Sequence, residues 1–340
     1  DPDYRRRMTD EIQRLLDHHK NHPALLMWAL GNEINLAGAG TPQAWRFVDG
    51  LARRIKAQDP NHPVISVISF DDVTANAIAA YAPHLDGLGI NAYGALSDVR
   101  AMIDASAFKG PYLVTEWGVD GHWEAERTLW GRPIEPTSDQ KVDYYLQRYA
   151  HDIQANSDRC IGSYVFLWGQ KQERTPTWYS MFIEQLPGIP AAACATVDAM
   201  HYSWSGDWPH NRAPQVMGVT IDDRPAGNGV VLNPEQSFVA RVEAVDPEND
   251  GLRFVWEMMA EPTVLGVGGS PEPRPPVLQS TVAEDVGELL LKAPASPGEY
   301  RLFVYVLDAG SRVGTANIPF RVDPPQHVAT EPPVPPAAKG

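Results

Sequence analysis

The sequence predicts an α/β protein: a TIM (β/α)8 barrel lacking its first three strands, followed by a C-terminal all-β sandwich. Two observations carry the barrel. Apolar runs of strand length alternate with helical periods five times between residues 4 and 200, the spacing of repeated β–α units. Eight strands close a barrel, so the last run, 162–168, would be the eighth and 24–31 the fourth. A third observation carries the sandwich. Over 214–322 the helical period disappears, and alternating runs separated by Gly, Pro and Asp turns replace it. The expected organisation is a partial barrel over 1–204, a linker over 205–213, a sandwich over 214–323 and a Pro-rich disordered tail over 324–340.

Residues 4–20 read as a helix, with Met8, Ile12, Leu15, Leu16 and His19 on one face. The 24–31 run opens at the turn signal His22-Pro23 and continues apolar to Leu30, the pattern of a strand buried on both faces of a parallel sheet. Thr41 and Pro42 start the next helix as N-cap and first residue, and Trp45, Val48, Leu51, Ala52 and Ile55 form its apolar stripe. Strands are expected at 64–68, 85–91 and 111–116, with helices at about 72–81 and 96–105 between them. Ser138 opens a helix carrying Val142, Tyr145, Leu146, Tyr149 and Ile153, and a last helix is expected near 191–200. The chain opens on the helix that would follow the third strand, without an initiator Met or signal peptide. It therefore reads as a processed chain or a fragment whose sheet has an exposed edge.

Composition narrows the function. The formal charge of −15 and pI near 5.0 disfavour phosphate backbones and anionic lipid surfaces as partners. No apolar run approaches the ~20 residues of a membrane helix. The two cysteines, Cys160 and Cys194, have no metal spacing, and His18-His19 lack a third ligand, so neither metal nor cofactor is expected. The ten tryptophans suit a core, and also suit sugar binding, because an indole face packs on the C–H face of a pyranose.

The chemistry concentrates at strand ends. The C-terminal edge of a parallel sheet is where such folds bind ligands. Two runs stop there on a glutamate: the fourth strand on Gly31-Asn32-Glu33 and the seventh on Thr115-Glu116. Two carboxyl groups ~5–5.5 Å apart are what retaining hydrolysis of a glycosidic bond requires. Asp120, Glu124, Glu135 and Glu173 are rivals, but none ends an apolar run, so they read as loop or substrate contacts. Trp123, Trp130 and Trp178, and the polar stretch Gln170 to Arg174, are further substrate contacts or loop residues.

Asn32-Glu33, Thr115-Glu116-Trp117-Gly118 and Phe166-Leu167-Trp168 resemble the retaining glycoside hydrolases with catalytic Glu on barrel strands four and seven. The stretch from His22-Pro23 to Glu33 is most similar to glycoside hydrolase family 2, which includes β-galactosidases, β-glucuronidases and β-mannosidases. The resemblance covers about residues 4–185. It implies that Glu33 is the general acid/base and Glu116 the nucleophile. It also implies that Asn32 binds the hydroxyl beside the anomeric carbon, Tyr93 donates to Glu116, and Trp168 is a platform under the sugar. Asn91, which ends the third run, and Trp117, which follows Glu116, are further candidates for substrate binding. The family's sugar-binding residues on strands one to three and its N-terminal sandwich domains have no counterpart here.

The function expected is retaining hydrolysis of a β-linked oligo- or polysaccharide by double displacement. A transglycosylase would use the same residues with a sugar acceptor. A non-catalytic carbohydrate-binding or cell-surface protein with a degenerate barrel would tolerate loss of both glutamates. The segment Val245-Asp246-Pro247-Glu248-Asn249-Asp250-Gly251 with Trp256 resembles bacterial immunoglobulin-like repeats of the PKD or cadherin-like kind. That resemblance implies an exported protein. The acidic loop is a candidate Ca²⁺ site, although an Asp-Pro and Asp-Gly turn accounts for it more simply.

Overall fold

A computed structural model describes residues 1–184, 191–266 and 270–324. The tail expected from 324 lies, beyond Pro324, outside the described residues. The first half runs α1 (Pro2–His19), β1 (Trp28–Ala29), α2 (Pro42–Gln58), β2 (Val64–Ser69), α3 (Asp72–Tyr81), β3 (Gly87–Asn91), α4 (Val99–Ala105), β4 (Tyr112–Glu116), α5 (Ser138–Arg148) and β5 (Cys160–Ser163). The five strands pair in parallel and in chain order, which makes a partial α/β barrel with β1 and β5 at its edges.

Local chemistry sets the helix starts. Asp1 caps α1 through the N–H groups of Asp3 and Tyr4, and Thr41 caps α2 ahead of Pro42. At α5, Thr137 and Gln140 form a reciprocal capping box. The α2 stripe of Trp45, Val48, Leu51, Ala52 and Ile55 is buried as its spacing requires, and shares one core with Val64, Ile68, Leu88, Ile90 and Val114.

Two strands differ from expectation. Only Trp28 and Ala29 of the 24–31 run form β1, and Leu26 is exposed. β1 is an edge strand with a neighbour on one side only, and with Trp28 half-buried and Ala29 exposed the run is not buried on both faces. Its ladder to β2 nevertheless continues to the site: Leu30 N–H donates to Ile65 O at 2.9 Å and Glu33 N–H to Val67 O at 2.9 Å. The final run begins pairing earlier than expected, at Cys160, and leaves strand geometry after Ser163.

The chain continues as β6 (Phe182–Ile183), β7 (Ala192–Cys194), α6 (Ala195–Ser205), β8 (Gln215–Ile221), β9 (Val231–Leu232), β10 (Ser237–Val245), β11 (Arg253–Ala260), β12 (Val277–Glu284), β13 (Glu288–Lys292), β14 (Gly298–Leu307) and β15 (Arg312–Val322). One antiparallel sheet has the order β13-β10-β8. The other runs β12-β11-β14-β15-β7-β6, with β9 also on β15. Phe238, Trp256, Val304, Ile318 and Phe320 belong to the core of this half. The short strands β6 and β7 come from the chain that follows the barrel strands, and β7 adds parallel to β15. Asp246 Oδ1 accepts the N–H groups of Glu248 and Asp250, which closes the acidic turn on itself. Cys160 and Cys194 are both free thiols and both buried.

A buried polar cluster joins the halves. Glu135 accepts from Lys141 Nζ at 2.5 Å, from Thr175 Oγ1 at 2.6 Å and, across the interface, from Asn317 Nδ2 at 2.6 Å. Burial opposes the charge on Glu135, but Lys141 and Thr175 outweigh it and hold the carboxyl below its ordinary value. Lys141→Met would leave that carboxylate unpaired in the interior. The expected cost is about 3–5 kcal/mol at neutral pH, read by urea or thermal unfolding. Because the folded-state pKa is depressed, the wild-type stabilisation is full above the ordinary glutamate value and is lost as pH falls through the folded value. The gap between variant and wild type should therefore narrow on acidification.

Candidate active site

The C-terminal ends of β1, β2, β3 and β4 meet in a cleft of about 450 Å³, lined by Asn32, Glu33, Leu36, Ser69, Phe70, Asn91, Ala92, Tyr93, Ala95, Glu116, Trp123, Glu124, Phe166, Lys171 and Glu173. The order of the strands puts Glu33 and Glu116 on this one rim, from β1 and β4.

The backbone at Glu33 is specialised. Gly31 has φ of 75° and Glu33 φ of 50°, both left-handed. A Cβ on Gly31 would also stand 2.4 Å from Ile34 Cδ1, so glycine is required there. Glu33 is an L residue in a sparsely allowed region, held by its N–H bond to Val67 O and by the Leu36 N–H donating to its own carbonyl at 3.0 Å. Asn35 locks the same turn to β2, donating to Ser69 O and accepting from Ser69 N–H, both at 3.0 Å.

A register shift between β3 and β4 falls at Ile90/Asn91, so Asn91 stands opposite Glu116 with Thr115 as the additional residue. The Thr115 hydroxyl donates to Asn91 Oδ1 at 2.7 Å. That bond turns the amide nitrogen of Asn91 toward β1, where it lies 3.2 Å from Asn32 Oδ1 and 3.2 Å from Glu33 Oε1. Tyr93 donates its hydroxyl to Glu116 Oε2 at 2.9 Å. Asn91 thus joins Asn32 and Glu33, while Tyr93 holds Glu116.

Burial pushes the Glu116 carboxyl upward, and the charge of Glu33 adds to this. The bonds from Tyr93 and Asn32 and the Lys171 ammonium oppose it, and the net direction is up. Burial and the Glu116 charge raise the Tyr93 phenol far above its ordinary value, so it remains a donor.

The remaining walls are loops. Glu124 Oε2 accepts from the N–H groups of Gly94 and Gly121 at 3.0 and 2.7 Å, and a Cβ on Gly94 would lie 2.8 Å from that carboxylate. Trp123 is 54% exposed with its edge toward Tyr93 at 5.6 Å. Lys171 Nζ lies 5.3 Å from the Phe166 ring centroid and 2.6 Å from Glu173.

Asn32, Glu33, Asn91, Tyr93 and Glu116 therefore meet in one place, whereas two expected substrate contacts do not. Trp117 is fully buried against Tyr145 and Tyr149. Successive strand side chains face opposite ways, so the residue after Glu116 points into the helical layer. Trp168 lies away from the cleft, with Phe182 and Trp204 as its ring neighbours. A tight turn, Gly169 N–H to Leu167 O at 2.8 Å, carries it off and leaves Phe166 in the cleft. Phe166, Ser69 and Phe70 were not expected as site residues, although Ser69 and Phe70 sit at the end of β2, where the same edge rule applies. Of the rival carboxylates, Glu124 and Glu173 line the cleft. Asp120 instead pairs with Arg148, and Glu135 lies in the buried cluster. Among the described residues no group of His, Cys, Asp or Glu could hold a metal ion.

Residues 1–224 match the sequence model of the TIM barrel domain of the glycosyl hydrolases family 2. The chain belongs to this family. Solved structures similar to it include Bacteroides uniformis β-glucuronidase 2, covalently bound to cyclophellitol-6-carboxylate aziridine. It is 13% identical over 95% of this chain and 37% of its own, with a TM-score of 0.44. A family 2 member from Bacteroides cellulosilyticus is 15% identical over 92% of this chain and 35% of its own, with a TM-score of 0.39. The β-D-glucuronidase of Dictyoglomus thermophilum is 17% identical over 51% of this chain and 31% of its own, with a TM-score of 0.39. The chain thus spans between 31% and 37% of the length of these three solved chains.

Tyr93→Phe removes a bond that favours the ionised form of Glu116. The Glu116 carboxyl should then titrate at higher pH than in the wild type, as followed by carboxyl-carbon NMR. An unchanged or lower midpoint would contradict the role of the hydroxyl.

Proposed function

We propose that this chain carries the catalytic pair of a retaining glycoside hydrolase that cleaves a β-linked sugar by double displacement. The observation that supports it is the single cleft that holds both glutamates, with Asn91 bonded to Glu33 and Tyr93 to Glu116. Glu116 attacks the anomeric carbon while protonated Glu33 gives its proton to the leaving oxygen, and a glycosyl-enzyme forms. Water, deprotonated by Glu33, then attacks the anomeric carbon and releases Glu116. Tyr93 steadies the ionised nucleophile and its own proton is not transferred. Asn32, which lines the cleft with both glutamates, is placed to meet the sugar hydroxyl beside the reacting carbon. Phe166 and Trp123 offer apolar faces to the C–H face of the ring.

The reaction is read in the full-length protein against 4-nitrophenyl β-D-galactoside and β-D-glucuronide. Glu33→Gln should lower kcat by about 10²–10⁴-fold, the span of a general acid–base contribution, and Glu116→Gln by at least as much. Proton NMR of the first product should show retained anomeric configuration. Inverted product, or full activity in Glu116→Gln, would sink the reading. Turnover requires ionised Glu116, whose carboxyl is raised. The acid limb of kcat/KM should therefore lie above the ordinary glutamate value, and a limb below it would contradict the assignment.

A further inference from the structure

Lys171 and Glu173 reach the cleft from the loop after β5, and that loop is held from the sandwich half. Arg174, next to Glu173, has φ of 61°, a left-handed conformation that an L residue keeps only when its surroundings impose it. Glu272, on the connection between β11 and β12, supplies the constraint. One carboxylate oxygen accepts the Arg174 backbone N–H at 2.9 Å, and the other accepts from Nη1 at 2.9 Å. The Glu272 side chain is 1% exposed, so solvent and salt screen these bonds little. Glu173 and Thr175 exchange backbone bonds of 3.1 and 2.7 Å around Arg174, which makes Arg174 the tip of a tight turn. The conformation at the tip sets the direction of Glu173. Glu173 then pairs with Lys171 at 2.6 Å and faces His122 Nε2 at 3.6 Å. The pair offers a ligand one donor and one acceptor side by side.

We propose that Glu272 is a positioning residue for sugar binding: by fixing Arg174 it presents Lys171 and Glu173 to the substrate, so the β-sandwich half takes part in specificity. This rests on the cleft being the sugar site.

The test uses the full-length protein with Glu272→Ala, Glu272→Gln and, as an interface control, Glu299→Gln. Glu299 also pairs across the two halves, with Arg132, but does not reach the cleft. Three quantities are measured: hydrogen exchange of the amides over 170–177, and kcat and KM for the two nitrophenyl glycosides. Glu272→Ala should speed exchange about tenfold and raise KM about tenfold with kcat within about twofold, the pattern of lost binding rather than lost chemistry. Glu272→Gln keeps an acceptor for the backbone N–H, and should recover most of the exchange protection with KM raised only about threefold. Glu299→Gln should match the wild type in all three. Unchanged exchange or unchanged KM in Glu272→Ala overturns the proposal, as does an equal effect in Glu299→Gln. If Glu272→Ala does not fold, wild-type KM in Glu272→Gln overturns it. Full activity in Glu116→Gln would instead remove the hydrolase reading, while the exchange result still decides whether Glu272 holds the loop.

Discussion

One side-chain amide connects the chemistry of the cleft. Asn91 Nδ2 lies 3.2 Å from both Asn32 Oδ1 and Glu33 Oε1, its Oδ1 takes the Thr115 hydroxyl at 2.7 Å, and its Cα is in register with Glu116. Everything else at the site depends on this register. The parallel ladder brings the strand ends to one level, and the shift at Ile90/Asn91 turns Thr115 toward Asn91 and leaves Glu116 facing the cleft. Slipping β4 by one residue would exchange the faces, sending Trp117 into the cleft and Glu116 among the helices.

The parts of the fold governed by local chemistry were readable from the chain. Apolar runs marked all five parallel strands, and Thr41-Pro42 and Ser138 marked where helices begin. The glutamates at strand ends were readable for the same reason, because strand periodicity and the sheet-edge rule are local; the tyrosine after β3 came only from the resemblance to a family. The extent of pairing is not local. The exposed sheet edge was expected, but the 24–31 run reads as buried on both faces, and only two of its residues pair as β1. The tryptophans misled for a related reason. A motif records that Trp117 follows Glu116, but the period of two sends their side chains apart. Trp168 looked like a platform until a turn between Leu167 and Gly169 gave that place to Phe166.

The contacts hardest to read are those between the halves. Asn317 on Glu135 and Glu272 on Arg174 each join residues far apart in sequence, and no spacing or period announces either pair. Neither pair lines the cleft: Glu135 lies in the buried cluster, and Glu272 holds Arg174, next to the cleft residue Glu173. The chemistry is thus set by the barrel register, while the shape of the surrounding walls is set partly by strands that arrive much later in the chain. Burying such charges is costly without partners. Here each has several, and Thr175 and Arg174, in the turn next to Glu173, are held this way.

The pairing of Glu33 with Glu116 is tested most directly by trapping. The full-length protein is incubated with 2-deoxy-2-fluoro-β-D-glycosyl fluorides of galactose and glucuronic acid, then digested and mapped by mass spectrometry. In Glu33→Gln the label should still form, because a fluoride leaving group needs no proton from an acid. One label per chain is expected, on Glu116, in both wild type and Glu33→Gln. Label on any other residue, or label on Glu116 that disappears in Glu33→Gln, would contradict the pairing.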